Sequence, residues 1–323
     1  MAGGKVLGIG AAVLDHTLFA TDDLLSEIHV FKGSAGPASQ EKLRYILAKG
    51  KIAKPPAAGG SAANTIRGLA MLEQPCAFFG KAGNDQAGEI FRQSLANAQI
   101  DSFMVTSPLP TTEVACLITE DGEKTMFYHL GASTDIKPDE ITQALFQNTR
   151  IVHIEGYTFL QEGVPERAAE LAREAGCLVS LDLGSFTLVR QKKGRMADFI
   201  IRYCDIVFAN ADEAFALTGQ PPKEACLLMK DLSETAVVLF GEGGAWVGKG
   251  YDLMHGPSLP ARAVDTTGAG DLFIAGFLYG VLQGFSLERC ALNGNLLASE
   301  VIGHLGSEIP HERWPSLKAR IKG

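Results

Sequence analysis

What most constrains this chain is a rhythm. Short, nearly continuous runs of branched apolar residues recur along it, at Val6–Ile9, Ile151–Ile154, Leu178–Leu181, Ile206–Phe208 and Val237–Leu239. A run without polar alternation suits a strand buried on both faces, which needs helices on both sides of its sheet. The intervening segments Ala62–Leu72, Gln86–Ala98, Pro165–Ala175 and Gly194–Tyr203 read as helices. The alternation predicts an α/β fold with a mostly parallel central sheet flanked by helices. Two regions break the rhythm. Val114–Thr119 and Lys124–His129, joined by Glu120-Asp121-Gly122-Glu123, read as a hairpin turned on Asp-Gly. Residues 11–58 hold Val13–Ala20, Ile28–Phe31 and a helical stretch near Glu41–Ala48 in place of one helix. Segments 11–58 and 110–132 are expected to form a small, discontinuous β-rich lid on one domain spanning 1–323.

Composition narrows the function. With 29 Lys and Arg against 37 Asp and Glu, the net charge is −8, and no long basic block supplies the field that phosphate backbones require. Nucleic acid is therefore excluded as a partner. The longest informative uncharged stretch, Leu272 to Leu287, contains Gln283 and Ser286 and falls short of the roughly 20 apolar residues a bilayer demands. No membrane span is expected, and the apolar N-terminal run reads as a first strand and not a signal peptide. Six scattered cysteines with no CxxC spacing, and histidines without HExxH, point to free thiols in a reducing cytoplasm and no structural zinc.

Three constellations carry chemistry. Asp265-Thr266-Thr267-Gly268-Ala269-Gly270-Asp271 precedes the most apolar helix candidate, Leu272–Gln283. Glycines there let several backbone N–H groups converge at a helix N-terminus, a site suited to phosphate, and Asp271 could take a proton from an attacking hydroxyl. The alternative is a plain helix cap, which needs neither doubled glycine nor a second carboxylate at Asp265. Gly59-Gly60-Ser61-Ala62-Ala63-Asn64-Thr65 offers backbone approach and an amide to polyol hydroxyls, or else a glycine turn with Ser61 as N-cap. Asn210-Ala211-Asp212-Glu213 reads as a capping box, or as the anchor of a hydrated Mg²⁺ near phosphates.

Taken together, DTTGAGD, GGSAANT and NADE make the chain resemble the PfkB/ribokinase family of ATP-dependent kinases from Val6 to about Pro310. The resemblance implies a ribokinase-like sheet with a β lid, and phosphorylation of a hydroxymethyl group on a small-molecule sugar or nucleoside. By the same resemblance, Asp271 is the catalytic base, and Gly268, Ala269 and Gly270 form the anion hole. Asp15, Gly59, Gly60 and Asn64 hold substrate hydroxyls, while Asn210 and Glu213 belong to the Mg²⁺-phosphate motif, Glu213 acting through water. Gly241, Gly244 and Asn295 fall at the ATP site, and Asp265 and the Thr267 carbonyl where many members bind a monovalent cation such as K⁺. The insert before Gly59, the stretch Ala77–Asp85 and Leu130-Gly131-Ala132 resemble bacterial adenosine-kinase-like members. Ala11 departs from the asparagine of adenosine kinases and Leu239 from the threonine of ribokinases, whereas Glu155 aligns loosely with a sugar-contacting glutamate.

Other classes fare worse. Gly8-Ile-Gly10-Ala-Ala-Val13 lacks the third glycine of a dinucleotide fingerprint and the helix that should follow. No GxxxxGK[ST] is present for a Walker-type ATPase. A non-catalytic sugar-binding relative is the competing reading from another class, opposed by the intact glycine–aspartate turn. An exposed lid edge also raises the expectation of a homodimer formed through the lid.

Overall fold

The computed structural model describes residues 4–323. The chain opens with β1 (Lys5–Ile9), β2 (Val13–Phe19), α1 (Asp22–Glu27), β3 (Ala35–Pro37), α2 (Gln40–Lys49), β4 (Lys51–Ile52) and β5 (Ala57–Gly59). It continues through α3 (Ser61–Met71), β6 (Cys76–Gly83), α4 (Gln86–Asn97), β7 (Asp101–Ser107), β8 (Thr112–Ile118) and β9 (Lys124–His129). Strands and helices then alternate as β10 (Thr149–Glu155), α5 (Val164–Glu174), β11 (Leu178–Asp182), α6 (Phe186–Tyr203) and β12 (Ile206–Asn210). The remainder is α7 (Ala211–Thr218), α8 (Pro222–Met229), β13 (Thr235–Leu239), β14 (Ala245–Lys249), β15 (Asp252–Gly256), α9 (Ala269–Gln283), α10 (Leu287–Val301) and α11 (Trp314–Lys322).

The main sheet has nine strands in the order β15-β14-β13-β12-β11-β10-β1-β6-β7, and its neighbours from β13 to β7 pair in parallel. Only β14 and β15 are antiparallel, at one edge. Strand periodicity assigns the two cores. Val6 of β1 packs toward α3, α9 and α10 with Ile66, Phe273 and Leu297, whereas Leu7 and Ile9 pack toward α5 and α6 with Leu171 and Phe199. Sheet order reverses at the β1–β10 boundary, the place where open α/β sheets leave a crevice beyond the carboxyl ends of their strands.

A second sheet, ordered β3-β9-β8-β2-β4 with β5 also on β2, stands over that crevice. The β8–β9 hairpin pairs antiparallel, as the Asp-Gly turn predicts. One face of this sheet carries its own apolar cluster with α1 and α2, including Leu18, Leu25, Leu43, Ile46, Leu117 and Phe127. The alternate residues Val13, Asp15, Thr17, Val114, Cys116, Met126 and Tyr128 face the crevice instead.

Two expected elements differ. Ile28–Phe31 forms no strand, because α1 ends at Glu27 and His29 adopts a left-handed φ of 53° that turns the chain away from extended pairing. Helix α6 begins at Phe186 and not at Gly194, started by the Ser185 hydroxyl accepting from the Leu188 N–H, 3.3 Å. Its backbone breaks helical geometry at Lys192 (φ −115°), where Gln191-Lys192-Lys193-Gly194 interrupts the apolar period.

Candidate active site

The glycine–aspartate turn opens α9. Gly268 is its N-cap with φ 78°, a conformation that disfavours any side chain, and an added Cβ would stand 2.7 Å from that of Ser307. Asp271 therefore lies inside the first turn and does not cap the helix. Its carboxylate instead accepts hydrogen bonds from the Ser61 hydroxyl, 2.9 Å, and the Asn64 amide, 2.7 Å. The Thr65 hydroxyl donates to its carbonyl oxygen, 3.1 Å. Asp271 is deep but still partly reached by solvent. Burial pushes its carboxyl up to about 6, while the Asn64 and Ser61 bonds and nearby Arg67 pull the other way.

Gly60, with φ 92°, is the N-cap of α3, so the helix begins on Ser61 and Ser61 is no cap. Its hydroxyl is free to bridge two carboxylates, Asp271 and Asp182, the latter at 3.0 Å. One hydroxyl hydrogen cannot satisfy both. Burial, with Glu213 and Asp271 nearby, raises the Asp182 carboxyl well above the usual range. Asn64 is fully occupied: its amide group holds Asp271, and its oxygen accepts from Arg67 and from the Ser307 hydroxyl, 3.2 Å. Neither Asn64 nor Asp271 lines the cavity itself; Ser61, which bonds Asp271, is the member of the set that reaches it.

Asp15 does reach the cavity, with its carboxylate against the space a side chain on Gly59 would fill. Burial pushes Asp15 up to about 6, opposed by Arg67 and Lys54. Glu155, at the carboxyl end of β10, accepts from the Ala11 N–H, 2.8 Å, and the Ala62 N–H, 3.0 Å. It ties the β1–β2 connection to the start of α3 across the sheet-order reversal, and burial raises its carboxyl to about 7.

Asn210 and Glu213 form the reciprocal capping box at the start of α7. The Asn210 N–H and side-chain amide donate to Glu213 at 2.9 and 2.7 Å, and the Glu213 N–H returns to Asn210 at 2.9 Å. Burial pushes Glu213 up to about 7, with Asp271 and Asp212 adding to the rise. Among the described residues, no three His, Cys, Asp or Glu side chains converge closely enough to cage a metal ion. Each Glu213 oxygen accepts one hydrogen bond from Asn210 and keeps a further lone pair, so this carboxylate could hold a hydrated Mg²⁺ through water.

On the far side, Gly241 and Gly244 bound the turn between β13 and β14 with φ 61° and 90°. Asn295, buried on α10, donates to the carbonyls of Gly256, 3.2 Å, and Pro257, 2.9 Å. It locks α10 to the loop after β15, alongside the turn at Gly241 whose Gly243 carbonyl contacts His255, 2.7 Å.

Asp265 is buried and its environment is dense. Its oxygens accept the Thr267 N–H and the Gly306 N–H, both 2.8 Å, and the Lys124 ammonium of β9 forms an ion pair with it. Burial alone would raise Asp265; Lys124 and the Thr267 and Gly306 donors hold it down at about 2. Lys54, from the segment between β4 and β5, donates to the Leu305 carbonyl in the adjoining loop, 3.2 Å.

Against Asp15, Gly60, Ser61, Asp265, Thr267 and Ser307 lies a cavity of about 520 Å³; Asn210, Glu213, Gly241, Gly244 and Asn295 stand outside its lining. Asp15, Ser61, Thr267 and Ser307 mark its polar floor, and Met126, Tyr128, Leu130, Tyr157 and Leu160 give it an apolar and aromatic wall. Sequence reading missed Asp182, Arg67, Lys54 and Lys124. The position of Asp182 at the end of a parallel strand was a usable signal; the others announce themselves only through contacts across the fold.

Comparison with known proteins bears on the family and the fold. Residues 56–314 match the sequence pattern described as pfkB family carbohydrate kinase. The chain is 31% identical over 255 residues to an ATP-dependent ribose-1-phosphate kinase of Halopiger xanaduensis, covering 77% of this chain and 81% of that protein. Among solved structures, a probable sugar kinase from Rhizobium etli superposes with a TM-score of 0.90 at 30% identity, covering 99% of this chain and 100% of that one. The adenosine kinase of Sinorhizobium meliloti superposes with a TM-score of 0.89 at 31% identity, with both chains fully covered.

Proposed function

The chain belongs to the pfkB family of carbohydrate kinases, phosphotransferases with an alcohol acceptor, and from that premise we propose how its residues act and which acceptor they favour. Its fold is ribokinase-like, and its activity is that of a sugar or nucleoside kinase using ATP. The observation that carries the residue assignment is Asp271, poised by Ser61 and Asn64 at the opening of α9.

In this reading the acceptor's primary hydroxyl lies against Asp271 while Asp15 and the Gly59–Gly60 backbone hold neighbouring hydroxyls. The N–H groups of Gly268 to Asp271, at the positive end of α9, meet the charge that spreads over the transferring phosphoryl oxygens. Asp271 accepts the hydroxyl proton late, since a carboxylate is a weak base for an alcohol until the O–P bond is forming. Asn210 and Glu213 would hold hydrated Mg²⁺, which when bound neutralises the β- and γ-phosphates. The turn at Gly241–Gly244 and Asn295 frame the nucleotide. The second sheet, residues about 11–58 and 110–132, acts as a lid that excludes water from the transfer.

The two tyrosines and the apolar wall, in a cavity of ample volume, support a ribonucleoside acceptor over a bare sugar. Measuring ADP release with Mg·ATP and adenosine, inosine, ribose, fructose or fructose 6-phosphate checks this. A nucleoside is expected to give the highest kcat/KM, and preference for a free hexose would refute the nucleoside assignment while leaving the kinase intact. All six cysteines are free, five of them buried, which suits a reducing cytoplasm. No helix among the described residues is long and apolar enough to cross a membrane. Exposed Ile52 and Phe19, at the open β4 edge of the lid, support a homodimer through that edge.

A further inference from the structure

Asp265 begins the turn that carries the anion hole, and its buried carboxylate demands a compensating positive charge. The family resemblance assigns that charge to a monovalent cation shared with the Thr267 carbonyl. The structure puts a side-chain cation on the same carboxylate. Lys124 stands at the first residue of β9, on the face that also presents Met126 and Tyr128 to the cavity, and its ammonium sits on the Asp265 carboxylate. A second lid lysine, Lys54, reaches the next loop and donates to the Leu305 carbonyl beside Gly306, whose own N–H is bonded to Asp265. Two ammonium groups from the second sheet and its connections thus reach Asp265 and the Leu305–Gly306 loop that bonds to it.

We propose that Lys124 is a tethered substitute for the monovalent cation, so that this enzyme needs no K⁺ and its anion-hole turn is charge-balanced by the lid. The proposal goes beyond the kinase reading but rests on it for what the turn does. Lys124 touches no reacting atom in this scheme. It is a positioning residue acting through Asp265 on the turn from Thr267 to Gly270.

The ammonium and a dehydrated K⁺ are both compact single charges, so removing one should admit the other. Lys124→Met keeps the apolar stem on the inner face of β9 and deletes only the charge. Wild-type kcat is expected to be the same within about twofold in KCl and in choline chloride at equal ionic strength. Lys124→Met is expected to lose on the order of tenfold in choline chloride and to recover at least half of that loss in KCl. Binding is read independently of turnover by thallium(I) NMR and by melting temperature: the variant should give a bound Tl⁺ resonance and melt higher in KCl, whereas wild type should show neither. A wild-type rate that climbs severalfold with K⁺ would overturn the proposal. So would a bound Tl⁺ signal in wild type, or a folded Lys124→Met protein that binds no Tl⁺. Lys124→Gln provides the same readouts should the methionine variant not fold. If no acceptor yields ADP at all, the kinase reading fails, yet the Tl⁺ comparison still decides this proposal.

Discussion

Asp271 owes its character to its neighbours. A carboxyl held up at about 6 by burial is mostly ionised at neutral pH, yet closer to the reacting conditions than a free aspartate. The proton-accepting form is the ionised one, so kcat/KM should fall as pH drops through about 6. Ser61→Ala removes a hydrogen bond that stabilises the anion, and the acid limb should then move to higher pH with the alkaline plateau less affected. Asp271→Asn should lower kcat by on the order of 10² to 10⁴, the usual worth of a positioned base. Because burial disfavours the charged carboxyl in the fold, the same variant should melt at or above wild type at pH 8, which separates lost chemistry from lost structure. An unchanged kcat would return Asp271 to a structural role. The sequence showed Asp271 clearly, since its glycines are adjacent to it in the chain. Asp182, which shares the Ser61 hydroxyl with it, lies 89 positions away (271 − 182).

At the scale of elements, the start of α9 is where backbone conformation and chemistry coincide. Gly268 combines a left-handed φ with a neighbour, Ser307, that leaves no room for a side chain. Gly268→Ala should cost about 1–2 kcal/mol for the backbone alone, and more for the displacement of Ser307. Chemical denaturation should register that loss, and kcat should drop with it because the following amides change direction; a variant with wild-type stability and kcat would mean the turn relaxes freely. The main strands and most helices were legible because their apolar periods are local and strong. The first half of α6 was not, since the polar stretch at Gln191–Lys193, where the backbone kinks at Lys192, separates it from the periodic second half. Ile28–Phe31 failed for the converse reason. A short apolar run says nothing about its direction, and His29 turns it into the small core.

Across the whole molecule, the lid edge is the least covered apolar surface of its sheet. Ile52 is 65% exposed and Phe19 48%, on strands with an open edge beside them. Sedimentation velocity at micromolar concentration should therefore find a dimer, and Ile52→Lys should dissociate it; a monomeric wild type would dispose of the lid-edge contact. Such long-range features, like the reach of Lys124 to Asp265 across 141 positions, are invisible to periodicity because no local pattern encodes them.

The lid's private apolar cluster has a further consequence. Its odd-numbered β2 residues and their partners on β8 and β9 line the cavity, while the opposite faces of those strands carry a separate apolar cluster. If the cavity holds the acceptor as proposed, exchanging Val13, Thr17, Val114, Cys116, Met126 or Tyr128 would alter acceptor choice while leaving the α9 turn in place. A lineage built on this plan can change its diet without rebuilding its engine.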